Sequence, residues 1–428
     1  MSLKPQGRCR MSTPSTPHPN ADVRMRGFTQ RASVDAALAW LDAQLAELDQ
    51  LPSETIPLAD SPGRVLAEDV CSAVNVPNFQ RAMMDGFAVR AEDLANATTE
   101  QPVQLEVLGE CLPGQTFQGR VGPSQAVRIM TGAPLPAGVD SVLPVELTET
   151  HSEKVFAVHD LSPGKNLGNI GEDIRTGEVV LSAGRVLRPQ DVGVLASIGC
   201  SELLAVRKPR VRIVVTGNEL LPAGSQPVGC QIVDANGPML KALVDRDGGL
   251  PHHPGVVQDD RAAILAALRE DTDVILTSGG SSVGQEDHVP TLLAEHGELA
   301  IHGISMRPSS PMGMGRIGNG LVFLLPGNPV SCLCGYDFFA GRAIRSLGGR
   351  PIAWPYREVR AVLAANLKSP LDRLDYLRVK LVDGKVEPLQ RSGSSVLSST
   401  TRADGFVVVP ADAADLLSGR EITVHLYD

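Results

Sequence analysis

Short apolar runs that end in loops of small and polar residues recur between residues 210 and 346. Such runs, at 211–215, 274–276 and 321–325, are typical of buried strands. Four loops follow these runs or precede the helix-like segment 238–245: Thr216-Gly217-Asn218-Glu219, Val233-Asp234-Ala235-Asn236-Gly237, Ser278-Gly279-Gly280-Ser281-Ser282 and Pro326-Gly327-Asn328-Pro329-Val330-Ser331. The alternation predicts a doubly wound α/β domain with a mostly parallel sheet. Ligands bind outside the carboxyl ends of the strands in such sheets, so we expect the loops to share one binding edge.

The rest of the chain shows other periods. Residues 33–50 carry apolar side chains at helical spacing, and Ser33 is placed to cap the start of that helix. Segment 54–75 is predicted to be extended, and glycine and proline divide 101–150 into short pieces of a β-rich region. After a glycine- and proline-containing linker at 348–351, short alternating runs predict a small β domain at the end.

Length and composition limit the class of protein. A chain of 428 residues is too long for one ordinary domain, and roughly three or four are expected. Hydrophobic residues make up 43% and aromatic residues only 4%, which predicts aliphatic cores. No apolar run approaches the ~20 residues that a membrane helix needs. Residues 1–30 are polar and lack a signal-peptide core, so we interpret them as a mobile leader of a cytoplasmic protein.

Charge, cysteine and histidine content narrow the chemistry further. The net charge of −10 argues against a nucleic-acid partner. Seven scattered cysteines, an odd number, are interpreted as reduced core residues. The histidines have no metal-ligand spacing, and we interpret the pair His252-His253 as a solvated loop.

The Gly-Gly pair at 279–280, with serines on both sides, predicts a cradle for a phosphate or a similar oxyanion. Backbone N–H groups can approach an anion closely where no Cβ intervenes. A tight turn without a ligand is the plain alternative, and the second glycine loop at 326–331 favours the cradle. Because the chain is acidic, positive potential must come from backbone dipoles, a few arginines or a bridging Mg²⁺.

Acidic residues stand at the tips of several loops, and carboxylates are the ligands that Mg²⁺ prefers. They include Asp85, Asp173, Glu219, Asp234, Asp259, Asp260 and Asp287. Taken singly, each is more often a turn or cap residue, and Asp260 is placed to cap a helix. Only convergence in space would make them a site.

Seven motifs in order give the chain a resemblance to a known family. They are Gly63-Arg64-Val65-Leu66-Ala67-Glu68-Asp69-Val70, Met84-Asp85-Gly86-Phe87-Ala88-Val89, Arg128-Ile129-Met130-Thr131-Gly132-Ala133, Gly171-Glu172-Asp173-Ile174, Thr216-Gly217-Asn218-Glu219-Leu220, Ser278-Gly279-Gly280-Ser281-Ser282-Val283-Gly284 and Pro326-Gly327-Asn328-Pro329-Val330-Ser331. From about residue 33 to its end, the chain resembles the molybdopterin molybdenumtransferase family, the MoeA-type enzymes related to the gephyrin E domain.

The resemblance implies a multidomain α/β plus β architecture in an elongated homodimer. Its domains would be a mobile leader at 1–30, a split β-rich region at 31–75 and 163–187, an inserted β-rich domain at 76–162, a three-layer α/β/α molybdopterin-binding domain at 188–350, and a C-terminal β barrel at 351–428. The site would lie between one subunit's α/β domain and the other's inserted domain. Molybdopterin adenylyltransferase and other proteins of molybdenum cofactor synthesis are the implied partners.

The implied reaction inserts molybdate into the dithiolene of adenylylated molybdopterin and releases AMP with the help of Mg²⁺. Family positions imply catalytic roles for Asp85, Thr131, Glu219, Asp234 and Asp259, of which Glu219 and Asp234 would hold the metal. The residues expected to bind the pterin substrate or molybdate are Ser278, Gly279, Gly280, Ser281, Ser282, Asp287, Arg307, Ser310, Pro326, Gly327, Asn328, Arg373, Arg378 and Ser394.

The chain departs from the family pattern where the family has cations. A usual Lys-Pro-Gly-Lys-Pro reads Arg307-Pro308-Ser309-Ser310-Pro311, and Gly168 stands in a stretch that is commonly basic. Whether Arg307 or Lys165 restores the charge, and whether molybdate or tungstate is used, stays open. We therefore keep two alternatives to a working transferase. One is a weakened paralogue that binds a pterin or scaffolds partners, and the other is a nucleotide-processing enzyme built on the same α/β module.

Overall fold

The computed structural model describes residues 31–151, 154–280, 288–369, 371–389, 393–413 and 415–427. By its internal contacts the chain forms two compact units, one comprising residues 55–205 and the other the segments on either side, up to 54 and from 206. No helix of the described residues is long and apolar enough to cross a membrane.

Eight α-helices are present in the described chain: α1 Val34–Glu47, α2 Pro189–Ser197, α3 Asn236–Arg246, α4 Arg261–Leu268, α5 His288–His296, α6 Pro329–Gly335, α7 Gly341–Leu347 and α8 Ser398–Arg402. A π-helical turn, Tyr336–Ala340, joins α6 to α7. The predicted caps are present. Ser33 Oγ accepts a hydrogen bond from Ala36 N at 3.1 Å, and Asp260 Oδ1 accepts one from Ala263 N at 2.9 Å.

The flanking unit contains a sheet with the predicted doubly wound topology. In spatial order its strands are Leu250–His252, Arg210–Thr216, Val274–Ser278, Gly320–Leu325, Gly313–Ile317 and Glu298–His302, with Val256–Val257 also beside the second. The first four are parallel, and the last two extend one edge of the sheet through antiparallel pairing. Ser278 pairs with both Val215 and Leu325, so three strands end level. Their loops therefore meet at one edge, as predicted.

Aliphatic cores cover both faces of this sheet. Helices α4 and α5 pack on one face over Val214, Ile275 and Val322, and helices α1, α3, α6 and α7 pack on the other. Side chains such as Val274 and Leu276 are fully excluded from solvent, and each contributes about 1.5–3 kcal/mol by burial. The alternating polar pattern is missing from these strands because both of their faces are buried.

The end of the chain forms the predicted β barrel. Its five strands close because Leu374–Val382 pairs with both the second strand and the last one in the ring: Leu374–Val382, Lys385–Pro388, Arg357–Leu363, Glu421–Leu426 and Gly405–Val409. Met306–Arg307, from the α/β/α part of the unit, runs parallel to the first of these strands. Two short pairs complete the unit: Leu220–Leu221 with Ile232–Val233, and Leu367–Lys368 with Asp415–Leu416.

The unit at 55–205 is rich in β-structure. Its main sheet has, in order, Ser141–Pro144, Gly86–Val89, Gln125–Ile129, Val103–Cys111, Lys154–Ala157 and Thr148–His151. Arg81–Ala82 pairs with Leu167–Gly168, and Val70–Cys71 pairs with Val179–Leu181. Strands Ser53–Pro57 and Glu202–Val206 lie where the chain passes from one unit to the other.

The domain boundaries inferred from the sequence stay predictions. The packing of helix α1 differs from the domain to which the resemblance assigns it. Helix α1 was predicted as a helix but assigned to the split β-rich region at 31–75. Its buried residues Val34, Ala37 and Leu41 belong to the core of the α/β/α sheet. The core to which α1 belongs is decided by its packing against strands that are distant in sequence, so its position along the chain does not indicate it.

Candidate functional site

Glycines shape the edge where the parallel strands end. Gly279 and Gly280 have φ angles of +92° and +58°, a left-handed region that favours glycine. A Cβ on Gly279 would collide with the carbonyl oxygen of Thr216 on the neighbouring strand. The loop after Ser278 therefore passes close to the adjacent backbone, and only glycine permits that approach.

Asn236, at the start of α3, ties two of the predicted loops together. Its Nδ2 donates to Ser278 Oγ and to the carbonyl oxygen of Gly327, both at 2.8 Å. Its Oδ1 and the Oγ1 of Thr216 are buried and have no hydrogen-bond partner in the described chain. Unpaired buried oxygen atoms cost free energy, and a ligand that bonded to them would remove that cost. The sequence analysis placed Asn236 in a turn without assigning it to the site.

Asp234 is held rigidly beside this loop. It is 5% exposed, and its Oδ1 accepts a hydrogen bond from Gly237 N at 2.9 Å. The Nε2 atom of His253 lies 3.4 Å from its Oδ2. Burial favours the neutral carboxyl, but hydrogen bonding and charge from His253 and the Gly237 N–H outweigh it, so the pKa of Asp234 lies below its ordinary value. Asp234 is therefore ionised at neutral pH.

The position of His253 corrects the expectation from the sequence. The pair His252-His253 was interpreted as solvated, and His252 is indeed 61% exposed, whereas the side chain of His253 is 13% exposed. The strand that ends at His252 lies at the edge of the parallel sheet, and the next residue, His253, lies beside Asp234 at the start of α3. No local signal distinguishes two adjacent histidines, because tertiary packing alone separates them.

Glu219 and Asp259 lie at the same edge, where Glu219 is exposed and Asp259 is half-buried. Asp259 Oδ2 accepts a hydrogen bond from Asn218 N at 3.0 Å and so fixes the loop that precedes Glu219. The backbone of Glu219 accepts from Ile232 N at 3.0 Å, next to the strand that leads into Asp234. The structure thus brings Asp234 and the Glu219 backbone to neighbouring strands, and it gives Asp259 a role in holding the loop.

A cleft of about 500 Å³ opens between the α/β/α loops and the barrel. Its lining contains several of the residues predicted to bind substrate, together with Asp375 and Tyr376: Met306, Arg307, Pro308, Ser309, Ser310, Pro311, Pro326, Asn328, Ser331, Arg373, Asp375, Tyr376, Leu377, Gly393 and Ser394. Asn328 Nδ2 donates to Ser394 Oγ at 3.3 Å across the cleft. The two parts of the unit therefore share one binding surface.

Arg307 does not restore the missing positive charge. Its Nε donates to Asp375 Oδ1 at 2.7 Å, and its Nη2 also contacts the Asp375 carboxylate. Asp375 is fully buried and accepts a further hydrogen bond from Ser369 Oγ at 2.9 Å. This bidentate pair cancels the charge of Arg307 inside the cleft. Ser310, nearby, contributes its backbone carbonyl to Ile304 N at 2.9 Å.

Two other arginines have no anionic partner among the described residues. Arg373 lines the cleft immediately before the strand Leu374–Val382, and Arg378 lies on that strand with 2% exposure. The Nε and Nη1 atoms of Arg378 are buried and unpaired, while Nη2 makes a long contact of 3.5 Å to the Gly393 carbonyl. Burial lowers the pKa of this guanidinium. A buried cation without a counter-ion is costly, and a bound anion would remove that cost.

The remaining two predicted catalytic residues lie together in the 55–205 unit. Thr131 donates two hydrogen bonds to Asp85 Oδ1, from its N and from its Oγ1, each at 2.7 Å. These bonds hold the pKa of Asp85 below its ordinary value. The predicted site residues Ser281, Ser282 and Asp287 lie outside the described residues.

Comparison with known proteins identifies the family of this chain. Residues 32–199 match the MoeA N-terminal region (domain I and II), 212–346 a probable molybdopterin binding domain, and 360–427 the MoeA C-terminal region (domain IV). The chain belongs to the MoeA family. The resemblance identified from seven sequence motifs is therefore confirmed.

Among its relatives in the MoeA family, molybdopterin molybdenumtransferase 2 of Mycobacterium tuberculosis (strain ATCC 25618 / H37Rv) is 34% identical, over 86% of this chain and 94% of that protein. Molybdopterin molybdenumtransferase of Haemophilus influenzae is 32% identical, over 89% and 96%. A crystal structure of the molybdopterin biosynthesis moea protein from Pyrococcus horikosii has a TM-score of 0.78 and 31% identity, covering 93% of this chain and all of that one. The predicted fold and the predicted transferase class are confirmed at the level of the family.

A divalent cation, which membership of the MoeA family implies, fits the residues at the sheet edge. The ionised Asp234 and the unpaired oxygens of Asn236 and Thr216 are donors of the hard type that Mg²⁺ prefers. In the described chain, no three His, Cys, Asp or Glu side chains converge into a complete protein-only metal site. Mg²⁺ commonly takes one or two carboxylates and completes its shell with water and phosphate oxygens. Asp234 and Glu219 would thus hold the ion only together with substrate.

Proposed function

We propose that this chain is a molybdopterin molybdenumtransferase. It would transfer molybdenum from molybdate to the dithiolene of adenylylated molybdopterin and release AMP. The names of the relatives in the MoeA family support the reaction class. The observation in this chain that carries the proposal is a cleft lined by Arg373, with the buried Arg378 behind it in contact with the carbonyl of the lining residue Gly393. Neither arginine has an anionic partner in the described chain.

The arginines and the ion pair have separate tasks in this proposal. Arg373, at the cleft surface, would bind a tetrahedral oxyanion directly, and the buried Arg378 would add positive potential from below. Arg307 keeps the buried Asp375 carboxylate neutralised, so that Asp375 does not repel an incoming dianion. A charge-assisted hydrogen bond contributes about 1.5–3 kcal/mol, which corresponds to roughly ten- to a hundredfold in affinity.

The sheet edge would bind and orient the phosphate end of the pterin substrate. Backbone groups around Gly279, Gly280 and Gly327 offer close approach, and Asn236 holds the two loops in register. Asp234 would orient the water that attacks the phosphoanhydride, because its carboxylate is ionised and fixed by the Gly237 N–H. A bound Mg²⁺ would supply neutralisation of charge on the phosphate oxygens.

A non-catalytic pterin binder is the second candidate function. The observation in its favour is the loss of effective positive charge near residue 310, since Ser310 is neutral and Arg307 is tied to Asp375. Such a protein would bind the pterin at the glycine loops without using molybdate. We keep homodimerisation and contact with molybdopterin adenylyltransferase as parts of the proposal for either function.

Anaerobic turnover separates the two candidates. Purified protein is supplied with adenylylated molybdopterin, molybdate and Mg²⁺, and released AMP and molybdenum-bound pterin are quantified. Arg373→Ala should reduce kcat/KM for molybdate by about ten- to a hundredfold. Arg360→Ala, which removes an exposed arginine of the same barrel, is the matched control and should behave like the wild type. Pterin binding without AMP release by the unaltered protein would establish the binder instead.

A further inference from the structure

His253 and Asp234 stand at the spacing of two ligands of one metal ion. Their Nε2 and Oδ2 atoms are 3.4 Å apart, at the long end of the range for a hydrogen bond between an imidazole and a carboxylate. Two ligand atoms that each lie ~2.1 Å from one ion are roughly 3.0–3.4 Å apart when the angle between them at the ion is octahedral or tetrahedral. The pair could therefore accept a cation between its two atoms with little movement of either side chain.

The backbone permits this convergence at one residue. A Cβ on Gly237 would collide with both His253 Nε2 and Asp234 Oδ2, so both atoms lie directly over the glycine at the start of α3. The Gly237 N–H meanwhile binds the other carboxylate oxygen, which leaves Oδ2 to face the imidazole. Glycine thus makes room for an arrangement that any other residue would push apart.

Two further buried atoms, in His253 itself and in a residue close to Asp234 in sequence, have no hydrogen-bond partner in the described chain. Asn236, 7% exposed and two residues from Asp234, has an Oδ1 without a partner in the described chain, and it offers a neutral oxygen donor. The Nδ1 of His253 is also buried and unpaired, so no second hydrogen bond determines which ring nitrogen carries the proton. A cation would replace the proton that Nε2 shares with Asp234 Oδ2, and Nδ1 would then carry the proton of the neutral imidazole.

Imidazole changes which cation such a site prefers. Mg²⁺ strongly favours oxygen ligands, whereas the later divalent transition ions bind nitrogen well and Mn²⁺ accepts mixed nitrogen and oxygen shells. We propose that His253 is a ligand of the divalent cation at Asp234 and that the site selects a transition-metal ion such as Mn²⁺ over Mg²⁺. The inference rests on the proposed function for the existence of that cation. Water and substrate phosphate oxygens would fill the other positions.

The test measures cation binding directly, with Mn²⁺ as the probe. Electron paramagnetic resonance reports free Mn²⁺ in titrations of the full chain, and Mg²⁺ is added as a competitor, with and without pyrophosphate to supply phosphate oxygens. We expect wild-type protein to bind Mn²⁺ at least about tenfold more tightly than Mg²⁺. His253→Asn should lose roughly tenfold in Mn²⁺ affinity while Mg²⁺ affinity changes little, because the amide oxygen suits both ions.

A matched control stands beside the target residue. His252→Asn removes an exposed imidazole that also faces a carboxylate, with its Nδ1 3.3 Å from Glu270 Oε2. It should leave both affinities unchanged. Equal effects of the two variants, or equal Mn²⁺ and Mg²⁺ affinities in the wild type, would overturn the proposal. Thermal unfolding of each variant checks that the fold is retained.

Asp234→Asn separates this inference from the proposed function. If that variant loses Mg²⁺ binding while His253→Asn alters neither ion, the cation site stands and the role of His253 is wrong. If the wild type binds neither ion with pyrophosphate present, the cation proposed for the reaction fails as well, and the selectivity proposal fails with it. Tight Mn²⁺ binding that depends on both residues supports the inference even in a protein that shows no turnover.

Discussion

Replacing Ser310 by lysine should strengthen oxyanion binding in the cleft between the α/β/α loops and the barrel. Ser310 lines this cleft and is partly exposed, and among the described residues it is bonded only through its backbone carbonyl, which accepts from Ile304 N at 2.9 Å. A longer side chain can therefore extend into the cleft without breaking a hydrogen bond seen in the structure. The new ammonium group would add a second cation to the cleft beside Arg373, which also has no anionic partner among the described residues.

The size of the effect follows from simple electrostatics. A charge ~6 Å from a dianion, with an effective dielectric constant of about 40–80 in an open cleft, gains ~1–3 kcal/mol. Ordering a lysine side chain removes up to about 1.5–2 kcal/mol of that gain. We therefore expect the dissociation constant for molybdate to fall by up to about tenfold, and the gain should shrink at high salt because the cleft is open to solvent.

Calorimetric titration with molybdate at low and high ionic strength measures this effect, and turnover reports the KM for molybdate. Ser310→Gln is the control, since it has a long side chain without the charge. If lysine and glutamine give the same affinity, electrostatics at residue 310 does not govern binding, and the loop is not part of the oxyanion site. A salt-independent gain would show that the added contact is not ionic.

Three further predictions concern other parts of the molecule. Gly280→Val, at a φ of +58°, should abolish pterin binding by calorimetry while circular dichroism stays native, and unchanged affinity would contradict the cradle. Burial raises the pKa of Asp337 to about 6, above its unfolded value, so the free energy of unfolding should fall as pH rises from about 4 to 6. In urea unfolding, Asp337→Asn should lose less stability than the wild type over that pH range, and equal pH dependence of the two proteins would refute the prediction. Light scattering at micromolar concentration should give the mass of a dimer. If each site uses two subunits, a mixture of inactive Asp85→Asn and inactive Gly280→Val chains should regain about a quarter of wild-type activity, because half of the dimers are mixed and each mixed dimer has one intact site.

Much of the fold could be predicted from local patterns. The three central parallel strands are mostly apolar because both faces of the sheet are covered. The apolar run at 274–276, followed by serine and glycine residues, therefore predicted where its strand ends. Level ends followed from the topology, since parallel neighbours joined by helices present their carboxyl ends together. The helix caps Ser33 and Asp260 act within three residues, a range at which sequence is informative.

The site itself was only partly within reach of the sequence. The glycine loops could be assigned because their function depends on the backbone at one place in the chain. Asn236, His253 and the pairing of Arg307 with Asp375 could not, because each acts through a partner between 19 and 91 positions away. A local window contains no information about which distant side chain will arrive.

Residue type and spacing therefore predicted the doubly wound α/β domain, a small β domain at the end of the chain and the sheet edge at which ligands are expected, and the family resemblance added the barrel. Tertiary structure alone decided which charges remain available at that edge. Arginines 307, 373 and 378 look alike in the sequence, yet one is neutralised by Asp375, one lines the cleft unpaired, and one is buried without a counter-ion in the described chain. The reason is physical: the effect of a charge depends on its distance from other charges and from water, and only the folded chain sets those distances.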